Sequence, residues 1–313
     1  PSVTGVAYTR FAGNRYEALP KILGEKGYRS IALHGDRPGF WNRNRMYPSM
    51  GFDRFFSKMD FTADENIGMG LSDASFFRQS LDILDKTEKP FYAFMITLTS
   101  HYPYNFEGIF KAARLDTGYF KGTLMGNYLT SMKYFDDQFG MFIEGLRQRG
   151  LLDSSVIAVY GDHTAIPAWD RSSLEKLLDR SLKDEWEWKG MQRIPLLIRI
   201  PGGILPSGEI SRPAGLIDLP DTLADLMDLK FRTGFGKNLF GEDESEPVIF
   251  RNGSFIINNV FVEPSSERAT DMSEGKAADY RKYAAAAGKV KRRLGYSDMI
   301  LEHDLIPELA GED

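Results

Sequence analysis

The sequence contains no cysteine among its 313 residues. Disulfides, thiolate metal ligands and a cysteine nucleophile are therefore excluded, and any metal site must be built from oxygen and imidazole. Histidine is nearly as scarce, at four. No apolar run approaches the roughly 18–20 residues that cross a bilayer as a helix, and Pro1-Ser2-Val3-Thr4-Gly5 has neither the charged nor the apolar region of a signal peptide. An excess of positive charge is missing too. The 39 Lys and Arg stand against 44 Asp and Glu, a net charge of -5, which disfavours the continuous basic surface of a nucleic-acid binder. The chain does not begin with Met, as expected of a processed or excised piece of a longer protein.

What is present fits a folded globular chain. Hydrophobic residues make up 42% and charged residues 27%, which argues against a disordered chain, a collagen-like repeat or a coiled-coil rod. The length suits one large α/β domain or two ordinary ones of roughly 100–200 residues.

Along the chain, helical and strand-like segments alternate. Residues 16–23 read as a helix closed by the Gly24 to Gly27 region, followed by the buried-strand pattern Ser30-Ile31-Ala32-Leu33. A nearly continuous apolar run, 91–98, is a second strand, and an amphipathic helix over 128–149 leads to a third at 155–160. A fourth such run covers 194–200. This alternation predicts a largely parallel sheet with helices on both faces. From about Gly241 the texture changes to short alternating runs around Asn252-Gly253, a strong hairpin signal. The acidic loop Glu242 to Glu246 marks the expected seam, and the Ala-, Lys- and Arg-rich tail from Lys276 to about Arg293 is expected to be helical. The resulting division is 1–240 for an α/β domain and 241–313 for an antiparallel-sheet plus helix subdomain.

Three of the four histidines, His34, His101 and His163, each follow a predicted strand. In a parallel sheet such ends meet along one edge, where α/β folds place ligands. Any one of them alone is more often a packed or surface residue than a ligand, and three in the same position change that balance; His303 in the tail reads as solvated. Asp162-His163 sets a carboxylate beside an imidazole on a Gly turn, a pair suited to Mn²⁺, Zn²⁺ or Mg²⁺. A helix-capping Asp with a packed His reads equally well, and two ligands do not complete a site. Phe40-Trp41-Asn42-Arg43, with Arg37 and Arg45 nearby, puts an Arg fork beside an aromatic wall, which suits recognition of a phosphate or carboxylate ester. A Trp under a loop with solvated arginines is the alternative. Glu107, Asp136 and Asp137 read as solvated carboxylates, and Arg251-Asn252-Gly253 as a hairpin turn.

His34-Gly35-Asp36 with Phe40-Trp41-Asn42-Arg43, Met50 to Phe55, Leu98-Thr99-Ser100-His101-Tyr102-Pro103 and Tyr160-Gly161-Asp162-His163 closely resembles the extracellular catalytic domain of lipoteichoic acid synthases. These are polyglycerol-phosphate transferases of the sulfatase and alkaline-phosphatase superfamily, and the likeness extends to Phe250-Arg251-Asn252-Gly253. Gly-Asp-His alone indicates only the superfamily; the Phe-Trp-Asn-Arg element with Ser-His-Tyr-Pro points to the glycerol-phosphate branch.

The resemblance implies a Mn²⁺-dependent enzyme, with Mg²⁺ as the alternative ion, on the outer face of a Gram-positive cell membrane or released from it. The family moves glycerol phosphate from phosphatidylglycerol onto an active-site Thr and then to a growing polymer. Carried over by position, Asp162 and His163 become metal ligands. His34, Asp36, Trp41, Arg43 and His101 line the glycerol-phosphate pocket, with His101 also catalytic. The implied fold is a mainly parallel central sheet flanked by helices, with a small C-terminal antiparallel subdomain. The implied partners are the phosphatidylglycerol headgroup, the glycerol-phosphate polymer and a membrane reached through a further segment, with no nucleic acid and a monomeric state. The family's nucleophilic Thr and a metal-binding Glu lie upstream of the region aligned with Pro1, and Thr4 and Thr9 fall after that place. The chain is thus expected to lack its N-terminal strand and nucleophile, to be inactive alone and to hold metal weakly. Competing expectations are another superfamily hydrolase, a phosphoethanolamine transferase, or a non-catalytic module that binds glycerol phosphate.

Overall fold

A computed structural model describes residues 7–203, 207–241 and 246–311. Thr4 and residues 242–245 of the acidic seam lie outside the described residues. The strands, in chain order, are β1 (Arg29–His34), β2 (Arg54–Phe56), β3 (Asn66–Ile67), β4 (Gly70–Leu71), β5 (Phe91–Ile96), β6 (Ile157–Tyr160) and β7 (Leu196–Arg199). They are followed by β8 (Val248–Ile249), β9 (Phe255–Ile257), β10 (Val260–Glu263), β11 (Arg268–Asp271) and β12 (Ala277–Ala278).

A parallel sheet ordered β2-β1-β5 forms the centre, with Ile31 opposite Ala93 and His34 opposite Ile96. Side chains alternate between its two faces. Ile31 and Leu33 of β1 join Phe91, Ala93 and Met95 of β5 in one core, against the helices Asp73–Lys86 and Leu124–Gln148. Those helices start where a hydroxyl caps them: Ser72 accepts from Ser75 N and Thr123 from Gly126 N. Phe77 stacks on Phe142 at 4.8 Å between them. On the other face Ala32, Phe94 and Tyr92 meet Tyr47 and Phe52, with Tyr92 also touching a cluster of Leu19, Leu23, Ala224 and Leu229. Leu19 and Leu23 of that cluster come from the helix Leu19–Glu25 and Ala224 from the helix Asp218–Leu226, with Leu229 just after it. Helices therefore cover both faces, as the alternation predicts.

The fourth apolar run departs from a parallel expectation. β7 pairs antiparallel with β6, Ile157 opposite Arg199 and Tyr160 opposite Leu196. The connection returns to the end it left, where Gly161 N donates to Pro195 O at 3.2 Å, so β7 can only run back along β6.

The C-terminal strands form an antiparallel sheet ordered β12-β11-β10-β9-β8. The hairpin at Asn252-Gly253 is present: Gly253 has φ 86° and its N–H donates to Phe250 O. A second tight turn, Asn258-Asn259, puts two residues at φ 47° and 60°, a conformation Asn tolerates better than most side chains. The expected tail helix begins later. Residues 277–278 are strand, Asp279 accepts from Arg281 N to open a 3-10 turn, and the helix runs Ala284–His303. Its Val290 packs on Phe255, Val260, Val262 and Ala269. Among the described residues no helix is long and apolar enough to cross a membrane.

Candidate active site

The C-terminal ends of β1, β5 and β6 deliver the three histidines to one place. His34 ends β1 and is 1% exposed. Its Nδ1 lies 3.0 Å from Ile96 O on β5, while Nε2 has no partner. Burial first, and then the Arg43 guanidinium, hold its pKa down to about 4, so the ring is neutral at neutral pH. With Nδ1–H donating to the Ile96 carbonyl, Nε2 carries a free lone pair. The turn after it is tight: a Cβ on Gly70 of β4 would sit 2.5 Å from Gly35 O. Asp36 is buried and spends one oxygen on Arg37 N at 2.6 Å.

The Phe-Trp-Asn-Arg segment folds in an unusual way. Trp41 (φ 53°, ψ 27°) and Asn42 (φ 56°, ψ 28°) are consecutive left-handed residues, and the helix Arg43–Ser49 starts directly after them. Such backbone costs about 1–3 kcal/mol per non-Gly residue and concentrates at functional sites. Asn42 Nδ2 donates to Tyr8 O at 2.7 Å, which holds the reversal, and the indole is left 55% exposed. Arg43 lies over the Phe40 ring at 5.4 Å and donates to Phe40 O at 3.3 Å. It forms no ion pair among the described residues, unlike most arginines here. A half-buried guanidinium without a carboxylate, beside a neutral imidazole, favours an anion.

His101 and His163 come together with ring centroids 5.9 Å apart, edge to face. The two loops are tied by Tyr104, a buried residue at φ 63° whose hydroxyl donates to Ala165 O at 3.0 Å. Below them, the buried Asp73 carboxylate accepts from Leu98 N and Thr99 N at 3.0 and 3.1 Å, and Thr99 Oγ1 accepts from Asp73 N. Burial pushes the Asp73 pKa up, and its second oxygen is unpartnered.

Asp162 and His163 are exposed, with Asp162 Oδ1 3.6 Å from His163 Nε2. Their donors suit a hard or borderline divalent ion, but two ligands are too few to hold one. Among the described residues no third His, Asp or Glu completes a metal group.

His34, Trp41, Arg43, His101, Asp162 and His163 all line one cavity of about 2090 Å³. Asp36 does not line it, although its charge acts on His34. Arg37 and Arg45 are exposed and outside it. Glu107 pairs with Lys111 at 2.6 Å, and Asp137 with Lys133, both on the surface as expected. Arg251 of the hairpin turn pairs in two-pronged fashion with Asp298 at 2.9 and 2.7 Å. His303 is exposed, and Thr9 lies exposed on the short helix Ala7–Arg10. Asp73, Tyr104 and Asn42 went unread in the sequence; a Ser-Asp pair opening a helix is the one local signal that marks Asp73.

A sulfatase family profile matches residues 2–229. Lipoteichoic acid synthase 1 of Bacillus subtilis (strain 168) is 35% identical over 315 residues, which is 96% of this chain and 47% of that protein. Lipoteichoic acid synthase of Staphylococcus aureus (strain USA300) is 33% identical over 310 residues, again 96% and 47%. The chain thus spans about half the length of these curated relatives. Among solved structures, the lipoteichoic acid synthase LtaP from Listeria monocytogenes superposes with a TM-score of 0.79 at 29% identity, covering 97% of this chain and 76% of that one. A protein in the alkaline phosphatase superfamily from Vibrio parahaemolyticus shares the fold, with a TM-score of 0.74 at 20% identity over 98% of this chain and 73% of that one. A profile match that takes in the central sheet, its helices and all three site histidines establishes the lineage: the chain belongs to the sulfatase family.

Proposed function

We propose that the chain carries the phosphate-binding part of a phosphoglycerol transferase, the larger portion of a lipoteichoic-acid-synthase-like catalytic domain. The observation that carries this reading is Arg43, without a carboxylate partner among the described residues, beside the neutral His34 at a cavity shared with His101 and the Asp162-His163 pair. The 33–35% identity to lipoteichoic acid synthases over 96% of the chain supports glycerol phosphate as the substrate class, and the family resemblance implies phosphatidylglycerol as its donor. On this reading the partners are that headgroup and the polymer, at the outer face of a Gram-positive membrane, with the chain itself monomeric.

Each side chain has a task it can perform chemically. Arg43 neutralises the phosphate oxygens with its fork. Trp41 presents an exposed ring against which the glycerol moiety can rest. His34, neutral and with a free Nε2 lone pair, accepts a hydrogen bond from a hydroxyl of the glycerol. His101 stands where it can give a proton to a leaving oxygen. Asp36 sets the local field rather than touching the ligand. Asp162 and His163 would supply two ligands to a divalent ion, Mn²⁺ or Mg²⁺, completed by groups outside the described residues. When bound, such an ion supplies Lewis-acid stabilisation of charge on phosphate oxygens. The nucleophile also lies outside the described residues on this reading.

Titrating the chain with sn-glycerol phosphate in the presence of Mn²⁺, followed by NMR or calorimetry, tests the assignment. Arg43→Ala is expected to weaken binding at least tenfold, in line with about 1.5–3 kcal/mol for a hydrogen bond to a charged group. Binding unchanged by that substitution would sink the pocket assignment. Phosphatidylglycerol turnover by the 313-residue chain alone is expected to be absent, and clear turnover would place the nucleophile within it.

A further inference from the structure

The loops that carry the site also expose large amphipathic rings. Two of the four tryptophans are more than half exposed, Trp41 at 55% and Trp169 at 69%, together with Tyr102 at 48% and Tyr119 at 71%. All four lie on the segments that follow β1, β5 and β6, residues 35–45, 97–123 and 161–178. The later two segments are tied to each other. Tyr102 meets Tyr104 edge-on at 6.0 Å, and the Tyr104 hydroxyl donates to Ala165 O. Lys176, on the helix Arg171–Leu178, sets its Nζ 3.4 Å from the centroid of the Tyr119 ring, and the turn Ala168–Asp170 that carries Trp169 runs directly into that helix. Trp41 borders the same cavity as His101 and His163.

Charge on these loops is opposite in sign to that of the whole chain. The three segments hold eight Lys and Arg against six Asp and Glu, a net +2 in a chain of net -5. Arg37, Arg45 and Lys121 are exposed and form no ion pair among the described residues. Several of the acids are already engaged: Asp36 accepts from Arg37 N, Asp170 from Ser173 Oγ and Glu175 from Leu182 N. Rings interleaved with free cations do not resemble the core of a protein interface, which is contiguous, dry and depleted of charge. Trp and Tyr with Lys and Arg between them are the composition that settles at the headgroup level of a bilayer and is drawn to anionic lipid.

The chemistry of a lipid donor asks for such a surface. Each methylene drawn from a bilayer into water makes extraction about fourfold rarer, so a two-chain lipid is not lifted to a pocket held away from the membrane. The pocket has to come to the headgroup. We infer that the rim formed by Trp169, Tyr119, Tyr102 and the exposed cations beside them rests on an anionic phospholipid surface, so that a lipid phosphate reaches Arg43 without leaving the bilayer. The inference rests on the proposed donor being a membrane phospholipid, and it adds that the loops of this chain make the contact themselves.

Flotation of the 313-residue chain with lipid vesicles tests it. The probes are vesicles of phosphatidylcholine alone and of phosphatidylcholine mixed with phosphatidylglycerol. The chain is expected to bind the mixed vesicles at least about tenfold more tightly than the neutral ones and to come off as salt is raised. Trp169→Ala with Tyr119→Ala, and separately Lys121→Glu with Lys176→Glu, are each expected to weaken that binding at least about tenfold while leaving the affinity for sn-glycerol phosphate unchanged. Brominated lipid chains are expected to quench the Trp fluorescence of the chain, and Trp169→Phe to reduce the quenching, a reading that decides the matter if a double variant fails to fold. Excess free sn-glycerol phosphate, which competes for the pocket alone, should leave the chain on the vesicles. The inference is overturned by equal affinity for both vesicles, by release with sn-glycerol phosphate, by binding that survives both double variants, by quenching that Trp169→Phe does not change, or by a dimer in solution that Trp169→Ala with Tyr119→Ala dissolves. A chain that takes up sn-glycerol phosphate but ignores the mixed vesicles removes the rim and leaves the proposed function standing. Vesicle binding through these residues without any uptake of sn-glycerol phosphate does the reverse.

Discussion

His34 concentrates several opposing demands in one side chain. It is buried, lies within the field of a cation, and keeps one nitrogen unpartnered, so its neutral form is strongly favoured in the folded chain. The consequence for stability has a definite sign. The unfolded chain takes up a proton near pH 6.5 and the folded chain only near 4, so stability is full above about 6.5 and falls as pH drops toward 4. The full loss is about 3 kcal/mol, and urea denaturation at pH 7 and pH 5 should register a little over half of it. His34→Phe should flatten that pH dependence. Asp73 works differently, through fixed hydrogen bonds to the backbone that leads to His101. Asp73→Ala leaves two buried N–H donors unsatisfied and should cost about 2–4 kcal/mol in chemical denaturation. Neither residue can be ranked from sequence, because an isolated Asp or His carries no mark of burial.

Among the elements, the strands that end in site residues were the legible ones. Ile31 to Leu33, 91–96 and 157–160 are short continuous apolar runs bounded by turn formers, and each proved to be strand. The Asn252-Gly253 hairpin was legible for the same reason: its backbone conformation narrows the residues that fit. The direction of β7 was not legible, since an apolar run reads the same forwards and backwards and only the path of residues 161–195 sets it. Composition misled at the tail, where Ala, Lys and Arg favour a helix but Ala277-Ala278 is captured by the edge of β11. The β3–β4 hairpin is too short to show any periodicity, yet it presses on the turn after His34. Gly70→Ala forces a Cβ against the Gly35 carbonyl and Leu98 and, because backbone cannot yield there, should cost about 1–3 kcal/mol, read as a lower urea midpoint at unchanged slope.

Over the whole molecule, residue types identified which groups could gather at one edge, but not how the two sheets are spaced. That spacing depends on hydrogen bonds between segments far apart in sequence. The parallel strands and their helices pack into one core, and the C-terminal sheet with its helix packs into another. His34 and Arg43 belong to the β1 side, and Asp162 and His163 to the β6 side. The hydrogen bond from Tyr104 to Ala165 and the two facing imidazoles bridge the loops after β5 and β6. The site therefore lies where the loops after β1, β5 and β6 meet, while Ile157 of β6 packs on the same core as β1 and β5. With the Tyr104 hydroxyl as their tie, the loop after β5 and the loop after β6 move as a pair, and whatever grips one imidazole also positions the other.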